Sequence, residues 1–165
     1  MRPLVIVVTG DPVSAVLSTR GGFADLIRAR ASAFPGGFRV IDARSEPLPP
    51  LGETSGLIVT GSAASVTEPT PWMRATADYL AQAVRAQAMV LGICFGHQLL
   101  AEALGGRVVK NPRGREMGTI SADVLEQDPL LSERRPFTVN TTHVDTVAEL
   151  PAGARVLART ELEPH

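Results

Sequence analysis

The residue whose type and surroundings best fit chemistry is Cys94, the only cysteine in the chain. It lies between Gly92 and Gly96, after a short apolar run at residues 88–91. Apolar residues then repeat at helical spacing as far as Gly105. This pattern predicts a strand, a sharp turn and a helix with the thiol at the apex, the cysteine counterpart of a nucleophile elbow. A β-carbon at Gly92 or Gly96 would clash where the strand and the helix close on each other.

A thiol in such a turn is placed for nucleophilic attack. A free cysteine has a pKa near ~8.5, and the unpaired N–H groups at a helix N-terminus favour its thiolate. The N–H of Phe95 points to where an oxyanion forms when the sulfur of Cys94 attacks a carbonyl group. The alternative is that Cys94 is a small buried apolar residue, as lone cysteines often are. The two flanking glycines and the strand–helix context favour the nucleophile.

The stretches that must position Cys94 follow an α/β pattern. Strands are predicted over residues 4–8, 38–43, 56–60 and 88–91. The first is β-branched and apolar on both faces, which is typical of a central parallel strand. A loop leads from it to an amphipathic helix over residues 23–34, and a second helix begins at Pro71 with Thr70 as its N-cap.

The predicted elements after the Cys94 helix are shorter. A polar, glycine-marked loop spans residues 111–118, and strands are predicted over residues 119–125, 137–140 and 154–159. We find no internal repeat or linker along the chain. Residues 1–165 are therefore predicted to form a single three-layer α/β domain, with a mostly parallel central sheet flanked by helices.

Composition limits the classes of function. A chain of 165 residues is expected to form one domain that buries roughly 70% of its unfolded surface. A net charge of −1 provides no field that would attract nucleic acid or an anionic membrane. No apolar run approaches the ~18 residues of a membrane span, and the N-terminus does not resemble a signal peptide. A single cysteine precludes an internal disulfide, so we expect a cytoplasmic protein.

Residues 92–98 read G-I-C-F-G-H-Q and resemble the nucleophile motif of class I, triad-type glutamine amidotransferases. The likeness is greatest to the amidotransferase domain of GMP synthase and its stand-alone relatives, and it extends from Leu4 to about Thr160. The resemblance implies a flavodoxin-like fold and hydrolysis of L-glutamine to glutamate and ammonia through a Cys94 thioester. It implies no metal or organic cofactor, and a synthetase or acceptor substrate as the partner that receives the ammonia.

The resemblance also assigns roles around the third strand. There the family has a Gly-Gly pair, whose first member supplies the second oxyanion donor beside Phe95, and this chain has Gly61 and Ser62 at those positions. Ser62 thus departs from the commonest pattern. Small residues at the end of such a strand let backbone N–H groups approach a ligand, so Ser62 and Val66 are expected to border the substrate.

Gln98 lies one helical turn after Cys94 on the same face. An amide at this position can pair with a substrate amide or with backbone, and the resemblance implies that it helps to hold the substrate. His97, the neighbouring residue, is expected to pack or hydrogen-bond beneath the site. We do not expect His97 to touch substrate.

The residues alone do not identify the general base that would activate Cys94. His143 and Asp145 are two apart on an extended segment and would face the same side. A triad of Cys94, His143 and Asp145 would bring His143 to about 3–4 Å from the sulfur. The family instead places its base in a later H-P-E segment, and residues 142–145 resemble its earlier S-H-x-D stretch. On that interpretation His143, Val144 and Asp145 border the glutamine pocket.

Nothing in the chain matches the H-P-E segment. We therefore expect the functional domain to be longer than these 165 residues, and this chain to lack the His-Glu of the triad and to turn over little glutamine. Two alternatives remain open. One is a thiol hydrolase similar to γ-glutamyl hydrolase, and the other is a non-catalytic subunit that binds glutamine or a partner.

Overall fold

A computed structural model describes residues 1–131 and 135–165. Its centre is a parallel sheet of four strands in the order β2-β1-β3-β4. These are β1 (Leu4–Val8), β2 (Phe38–Asp42), β3 (Gly56–Val59) and β4 (Val90–Gly92). The continuous apolar runs in β1 and β3 fit strands that are covered on both faces. The predicted α/β fold with a mostly parallel central sheet is confirmed.

Helices flank this sheet. They are α1 (Ser14–Arg20), α2 (Phe23–Arg30), α3 (Pro71–Arg85) and α4 (Phe95–Ala103). Thr70 is the N-cap of α3 and Pro71 its first residue, as predicted. A short 3₁₀ helix spans Leu51–Glu53. Among the described residues, no helix has the length and hydropathy that crossing a membrane would require.

The prediction of a loop after β1 was wrong, because α1 lies there. No residue of α1 is buried, so its sequence has no apolar periodicity that would reveal a helix. Its neighbour α2 packs against β1 and ends at Arg30, before the predicted limit at residue 34.

The second part of the chain forms antiparallel strands. β5 (Arg107–Lys110) pairs with β8 (Asp145–Glu149). The central strand of the other sheet, β6 (Glu116–Val124), lies between β7 (Phe137–His143) and β9 (Ala158–Arg159).

Several predictions for this second part need correction. β6 begins at Glu116 instead of residue 119, β7 continues to His143, and β8 was not predicted at all. The strand predicted over residues 154–159 is reduced to β9. These strands contain many polar residues, and their pairing with distant partners, which decides their length, leaves little trace in local sequence.

The hydrophobic core lies between the central sheet and helices α3 and α4. Alternate residues of β1 and β3 face this side, and Phe95 packs there with its ring centroid 5.9 Å from that of Trp72. The core residues include Val5, Val7, Leu57, Val59, Met73, Leu80 and Leu99. Phe95 is 1% exposed, so the first residue of α4 is anchored directly behind Cys94.

Candidate active site

Cys94 occupies a strained turn between β4 and α4. Its φ of 52° lies in the left-handed region, which typically costs ~1–3 kcal/mol for a residue with a side chain. A β-carbon on Gly92 would lie 2.6 Å from the carbonyl oxygen of Gly96. One on Gly96 would lie 2.5 Å from the carbonyl oxygen of Val59. Both glycines are therefore required by close backbone approach, as predicted, although Gly96 is crowded by β3 and not by β4.

Two backbone N–H groups lie at the elbow. The backbone N–H of Phe95, next to Cys94 in the chain, acts to lower the pKa of the Cys94 thiol. A β-carbon on Gly61 would lie 3.8 Å from the β-carbon of Cys94, so the two residues are neighbours. In the described ranges the Gly61 N–H donates to no other group. The structure therefore places side by side the two residues whose N–H groups the sequence analysis assigned to an oxyanion hole.

The position of Gly61 is fixed by buried threonines at the ends of β1 and β3. The backbone N–H of Thr9 donates to the Thr60 hydroxyl at 3.0 Å, and the Thr9 hydroxyl donates to the Thr60 carbonyl at 2.8 Å. Both residues are fully buried. Hydrogen bonds of this kind in a dry environment hold the backbone before Gly61 in one conformation.

A cleft of about 420 Å³ opens beside Cys94. Residues 62–65, 67 and 68, which follow β3, form what we call the first wall, and Lys110 and Arg115 with residues 142–145 form the second wall. Glu116 supports the second wall through its contact with His143. Ser62, Gln98, His143, Val144 and Asp145 all line this cleft. The Val66 side chain does not, because it is 7% exposed and packs in the hydrophobic core. Any contact of Val66 with a ligand would therefore be through its backbone.

Gln98 and Asp145 tie the elbow helix and the first wall to the second wall. The buried Gln98 amide donates from Nε2 to the Asp145 carbonyl oxygen at 2.8 Å. The Ser65 hydroxyl, on the first wall, donates to Oδ2 of Asp145 at 2.5 Å. The backbone partner foreseen for the Gln98 amide is thus Asp145.

His143 forms its hydrogen bonds with groups other than the thiol. Its Nε2 lies 3.2 Å from Oε2 of Glu116, and its Nδ1 lies 3.1 Å from the carbonyl oxygen of Asp145. No hydrogen bond joins the Cys94 sulfur to an imidazole within residues 1–131 and 135–165. The carboxylate of Asp145 contacts Ser65 and not His143. The hydrogen bonds that would join Cys94, His143 and Asp145 in a triad are therefore not formed among the described residues.

Glu116 is the residue at this site that sequence reasoning missed. Its side chain is 3% exposed, yet it was assigned to a polar loop. In the structure it is the first residue of β6 and pairs directly with His143 of β7. A buried carboxylate beside a histidine is recognisable only when that register is known.

The residues after β9 pack against the same polar region. The Thr160 hydroxyl donates to Oε1 of Glu116 at 2.5 Å, and the Thr146 hydroxyl donates to Oε1 of Glu163 at 2.5 Å. Burial raises the pKa of Glu163, against the hydrogen bond from Thr146 that lowers it. Oε2 of Glu163 lies 3.6 Å from Nδ1 of His143, so carboxylates flank both sides of this imidazole.

His97 lines a second cavity together with Cys94, Gln98 and His143. It lines an apolar groove of about 390 Å³ together with Leu100 and Leu104, which agrees with the expected packing role. Partial burial of the ring lowers the pKa of His97, and repulsion from His143 lowers it further.

The electrostatic surroundings of Cys94 do not favour its thiolate. Although the residue is exposed, its sulfur lies in the cleft, and this partial burial raises the pKa of the Cys94 thiol. The hydrogen bond from Phe95 lowers that pKa, and the charge of Asp145 raises it. The pKa is raised overall, because burial outweighs the Phe95 N–H at the start of the helix, which acts in the expected direction and favours the thiolate. In the described part of the chain, no group of three or more His, Cys, Asp or Glu side chains could hold a metal ion.

Comparison with known proteins agrees with this geometry. The family model Glutamine amidotransferase class-I matches residues 38–164. Gamma-glutamyl peptidase 4 of Arabidopsis thaliana is 32% identical over 127 residues, which cover 73% of this chain and 51% of the peptidase. The glutamine-hydrolyzing GMP synthase of Aeropyrum pernix is 37% identical over 125 residues, which cover 75% of this chain and 23% of the synthase.

A solved structure from the same family has a similar fold. The glutamine amidotransferase from Methylobacillus flagellatus superposes with a TM-score of 0.75 and 26% identity, covering 98% of this chain and 63% of that protein. This chain spans about half the length of the peptidase and less than a quarter of the synthase. Because the family model matches most of the chain, including the elbow and both walls of the cleft, the chain belongs to the class I glutamine amidotransferase family.

Proposed function

We propose that this chain carries the site at which the amide of L-glutamine is hydrolysed to glutamate and ammonia. The observation that carries the proposal is the elbow, with Cys94 in a strained turn and the Gly61 and Phe95 N–H groups beside it. A reacting amide needs a nucleophile and donors for its developing negative charge. The closeness of Cys94 and Gly61 at the elbow supports the proposal that both act at one position.

The proposed reaction has two stages. The sulfur of Cys94 forms a bond with the amide carbon, while the Gly61 and Phe95 N–H groups stabilise the oxygen that becomes negative. The C–N bond then breaks, the nitrogen leaves as ammonia after gaining a proton, and a glutamyl thioester remains on Cys94. Water attacks this thioester, which releases glutamate and returns the thiol.

The second wall and Gln98 would position the substrate. Gln98 is buried behind the cleft and holds the Asp145 backbone in place. Ser62 lies on the first wall and His143 and Val144 on the second. We propose that these residues border the glutamyl part of the substrate, and that Val66 supports the first wall from the core.

Proton transfer limits what this chain can do. Attack by the thiol requires its proton to leave, and ammonia must gain one. In residues 1–131 and 135–165 no imidazole is hydrogen-bonded to the Cys94 sulfur, and the thiol pKa is raised. A positioned acid–base group is typically worth ~10²–10⁴-fold in rate. We therefore propose that the 165-residue chain turns over glutamine slowly.

We also propose that the ammonia serves a synthetase partner or an acceptor substrate. GMP synthases, to which this chain is similar, are named as glutamine-hydrolyzing enzymes. A cytoplasmic location and the absence of a metal or organic cofactor remain predictions of the same proposal.

The test is covalent trapping followed by turnover. The protein is treated with the chloromethyl ketone analogue of L-glutamine, and the site of modification is located by mass spectrometry. We expect one adduct, on Cys94, and none on the Cys94→Ser variant. Glutamate release, measured with protein in excess over glutamine, should be slow and should disappear in Cys94→Ser. Equal glutamate release by both proteins would exclude Cys94 as the nucleophile.

The second candidate is hydrolysis of γ-glutamyl peptides. The cleft beside Cys94 is open to solvent, which leaves room for a leaving amine larger than ammonia, and a relative is named as a gamma-glutamyl peptidase. Release of an amino acid from a γ-glutamyl dipeptide, faster than release of ammonia from glutamine, would favour this candidate. Glutamine binding without either product would instead favour a non-catalytic binding subunit.

A further inference from the structure

The second cavity, which has a volume of about 280 Å³, borders Cys94 from a different side than the cleft. Cys94, Gln98, Thr142, His143 and Asp145 line both spaces, so the cleft and the second cavity adjoin at the nucleophile. Under the proposed function the cleft holds the glutamyl part of the substrate. A thioester on Cys94 would then border a second space that the glutamyl group does not fill.

The residues that line only the second cavity suit an amine better than an acid. Ile93 and Val147 contribute apolar side chains, and Glu163 contributes a carboxylate. Among the described residues that line this cavity, none is Lys or Arg. An acidic ligand would therefore be repelled by Glu163 without gaining an ion pair in return.

Two polar groups in the second cavity accept hydrogen bonds, as the N–H groups of an amine require. The Thr141 hydroxyl is buried and has no hydrogen-bond partner, although a buried hydroxyl normally has one. Glu163 accepts from Thr146 through Oε1, whereas its Oε2 lies 3.6 Å from Nδ1 of His143, too far for a hydrogen bond. Burial raises the pKa of Glu163, which makes its carboxylate a better proton acceptor near neutral pH.

The second cavity also adjoins the apolar groove. His97 and Val147 line both the cavity and the groove, and Leu100 and Leu104 line the groove. An apolar substituent on an amine bound in the cavity can therefore extend towards the groove. Burial of each methylene group there is favourable, because it removes apolar surface from water.

We propose that the second cavity is an acceptor site, and that primary alkylamines bound there take the γ-glutamyl group from Cys94 to form γ-glutamyl alkylamides. This inference rests on the proposed function, because it requires the thioester, and it adds group transfer to hydrolysis. The alkylammonium ion gives one proton to Glu163, and its nitrogen forms a bond with the thioester carbonyl carbon. The C–S bond breaks, the sulfur takes a second proton from the nitrogen, and Glu163 releases its proton to solvent.

The test measures how the thioester divides between an amine and water. γ-Glutamyl p-nitroanilide is the donor, because release of nitroaniline reports thioester formation before any acceptor reacts. The acceptors are ethylamine, n-propylamine and n-butylamine, which have nearly equal basicity, and mass spectrometry gives the ratio of alkylamide to glutamate. We expect this ratio to rise roughly 2- to 4-fold for each added methylene group. A ratio independent of chain length would overturn the inference, because the amines would then attack from bulk solvent.

L-Norvaline tests the exclusion of acids, because it is n-butylamine with a carboxylate on the carbon that bears the nitrogen. Repulsion by Glu163 should lower the transfer to L-norvaline roughly 10-fold or more relative to n-butylamine. The two acceptors are compared at equal concentrations of the uncharged amine. Equal transfer to both would contradict an acceptor site lined by Glu163.

Variants of the second cavity test the roles of its polar groups. For n-butylamine, Thr141→Val should lower the ratio of alkylamide to glutamate roughly 5-fold, and Glu163→Gln should lower it roughly 10-fold or more. The matched controls are Thr138→Val on β7 and Glu161→Gln, both exposed and neither lining this cavity, and they should leave the ratio unchanged. Because the ratio is measured within each protein, partial unfolding of a variant does not change it. Wild-type ratios in both Thr141→Val and Glu163→Gln would overturn the inference.

Hydroxylamine distinguishes failure of the inference from failure of the proposed function. It is small and reacts with any accessible thioester, forming γ-glutamyl hydroxamate. If the wild-type protein forms no hydroxamate, or Cys94→Ser forms as much, the proposed function itself fails. If hydroxamate formation depends on Cys94 but alkylamide formation depends neither on chain length nor on Thr141 and Glu163, only the inference is wrong.

Discussion

The two sides of the cleft are stabilised by different forces. The elbow and the first wall are built on the parallel sheet, where buried apolar residues and close backbone contacts such as Gly96 to Val59 hold the chain. The second wall is built on antiparallel strands, where buried polar groups such as Glu116 and Asp145 are held by hydrogen bonds. Cys94 thus lies in a region whose structure depends on close packing. The residues of the second wall, opposite Cys94, lie in a region whose structure depends on hydrogen bonds between polar groups.

This difference predicts how each side responds to substitution. Close packing tolerates no added atom, because neighbouring backbone cannot move. A hydrogen-bonded network tolerates a conservative change at lower cost, because one partner can be replaced by another. The following experiments test that contrast, from the largest expected effect to the smallest.

Gly96→Ala should cause the largest loss of stability. The new β-carbon would lie 2.5 Å from the carbonyl oxygen of Val59, so β3 and α4 would have to separate. We expect a loss of about 3 kcal/mol or more in the free energy of unfolding, measured by urea denaturation. Gly52→Ala is the matched control, because nothing lies within 4 Å of its added β-carbon. Similar losses in both variants would show that backbone crowding is not the cause.

Gly61→Ala should affect chemistry and leave stability nearly intact. The methyl group would lie in ordinary contact, 3.8 Å from the β-carbon of Cys94, but it would crowd the position proposed for the oxyanion. We expect a fall of roughly 10²-fold in single-turnover glutamate release. The denaturation midpoint should stay close to wild type. A loss of stability equal to that of Gly96→Ala would remove the proposed oxyanion role of Gly61.

Glu116→Gln should weaken the second wall moderately. The substitution keeps an oxygen that can accept from Thr160 but removes the charged partner of His143. We expect a loss of about 1 kcal/mol in the free energy of unfolding. Glu149→Gln removes an exposed carboxylate paired with Arg107 and should change stability by less than about 0.5 kcal/mol. Equal losses would indicate that burial of Glu116 confers no special stability.

The pH dependence of Cys94 alkylation should show the smallest changes. Only the thiolate reacts, and the pKa of this thiol is raised, so iodoacetamide should label Cys94 more slowly at neutral pH than it labels a free cysteine. The rate should continue to rise above the usual pKa of cysteine. Asp145→Asn should shift the profile to lower pH, because a charge that raises the thiol pKa is removed.

His143→Ala provides the control for that profile. Since no hydrogen bond joins His143 to the sulfur among the described residues, the alkylation rate at neutral pH should remain close to that of the wild-type protein. A large fall in the alkylation rate, accompanied by loss of glutaminase activity, would instead support a triad of Cys94, His143 and Asp145.

The sequence alone determined the side of the cleft that is defined by packing. Apolar runs with β-branched residues identify β1 and β3, and helical periodicity identifies α4, because these signals repeat within one element. The two glycines around Cys94 are explained by the local geometry of a strand–turn–helix unit. Residues 92–98 also indicate the family without any knowledge of the fold. The matching family model confirms that family.

The contacts between residues of the second wall can be known only from the tertiary structure. Glu116 meets His143 through the β6–β7 register, Asp145 meets Ser65 across the cleft, and Lys110 lies beside Asp145 through β5–β8 pairing. Each of these pairs joins residues at least 27 positions apart, and a polar strand carries no local pattern that names its partner. The partner of a buried carboxylate, whether a histidine or a hydroxyl group, depends on the register between strands. That register is fixed by long-range packing.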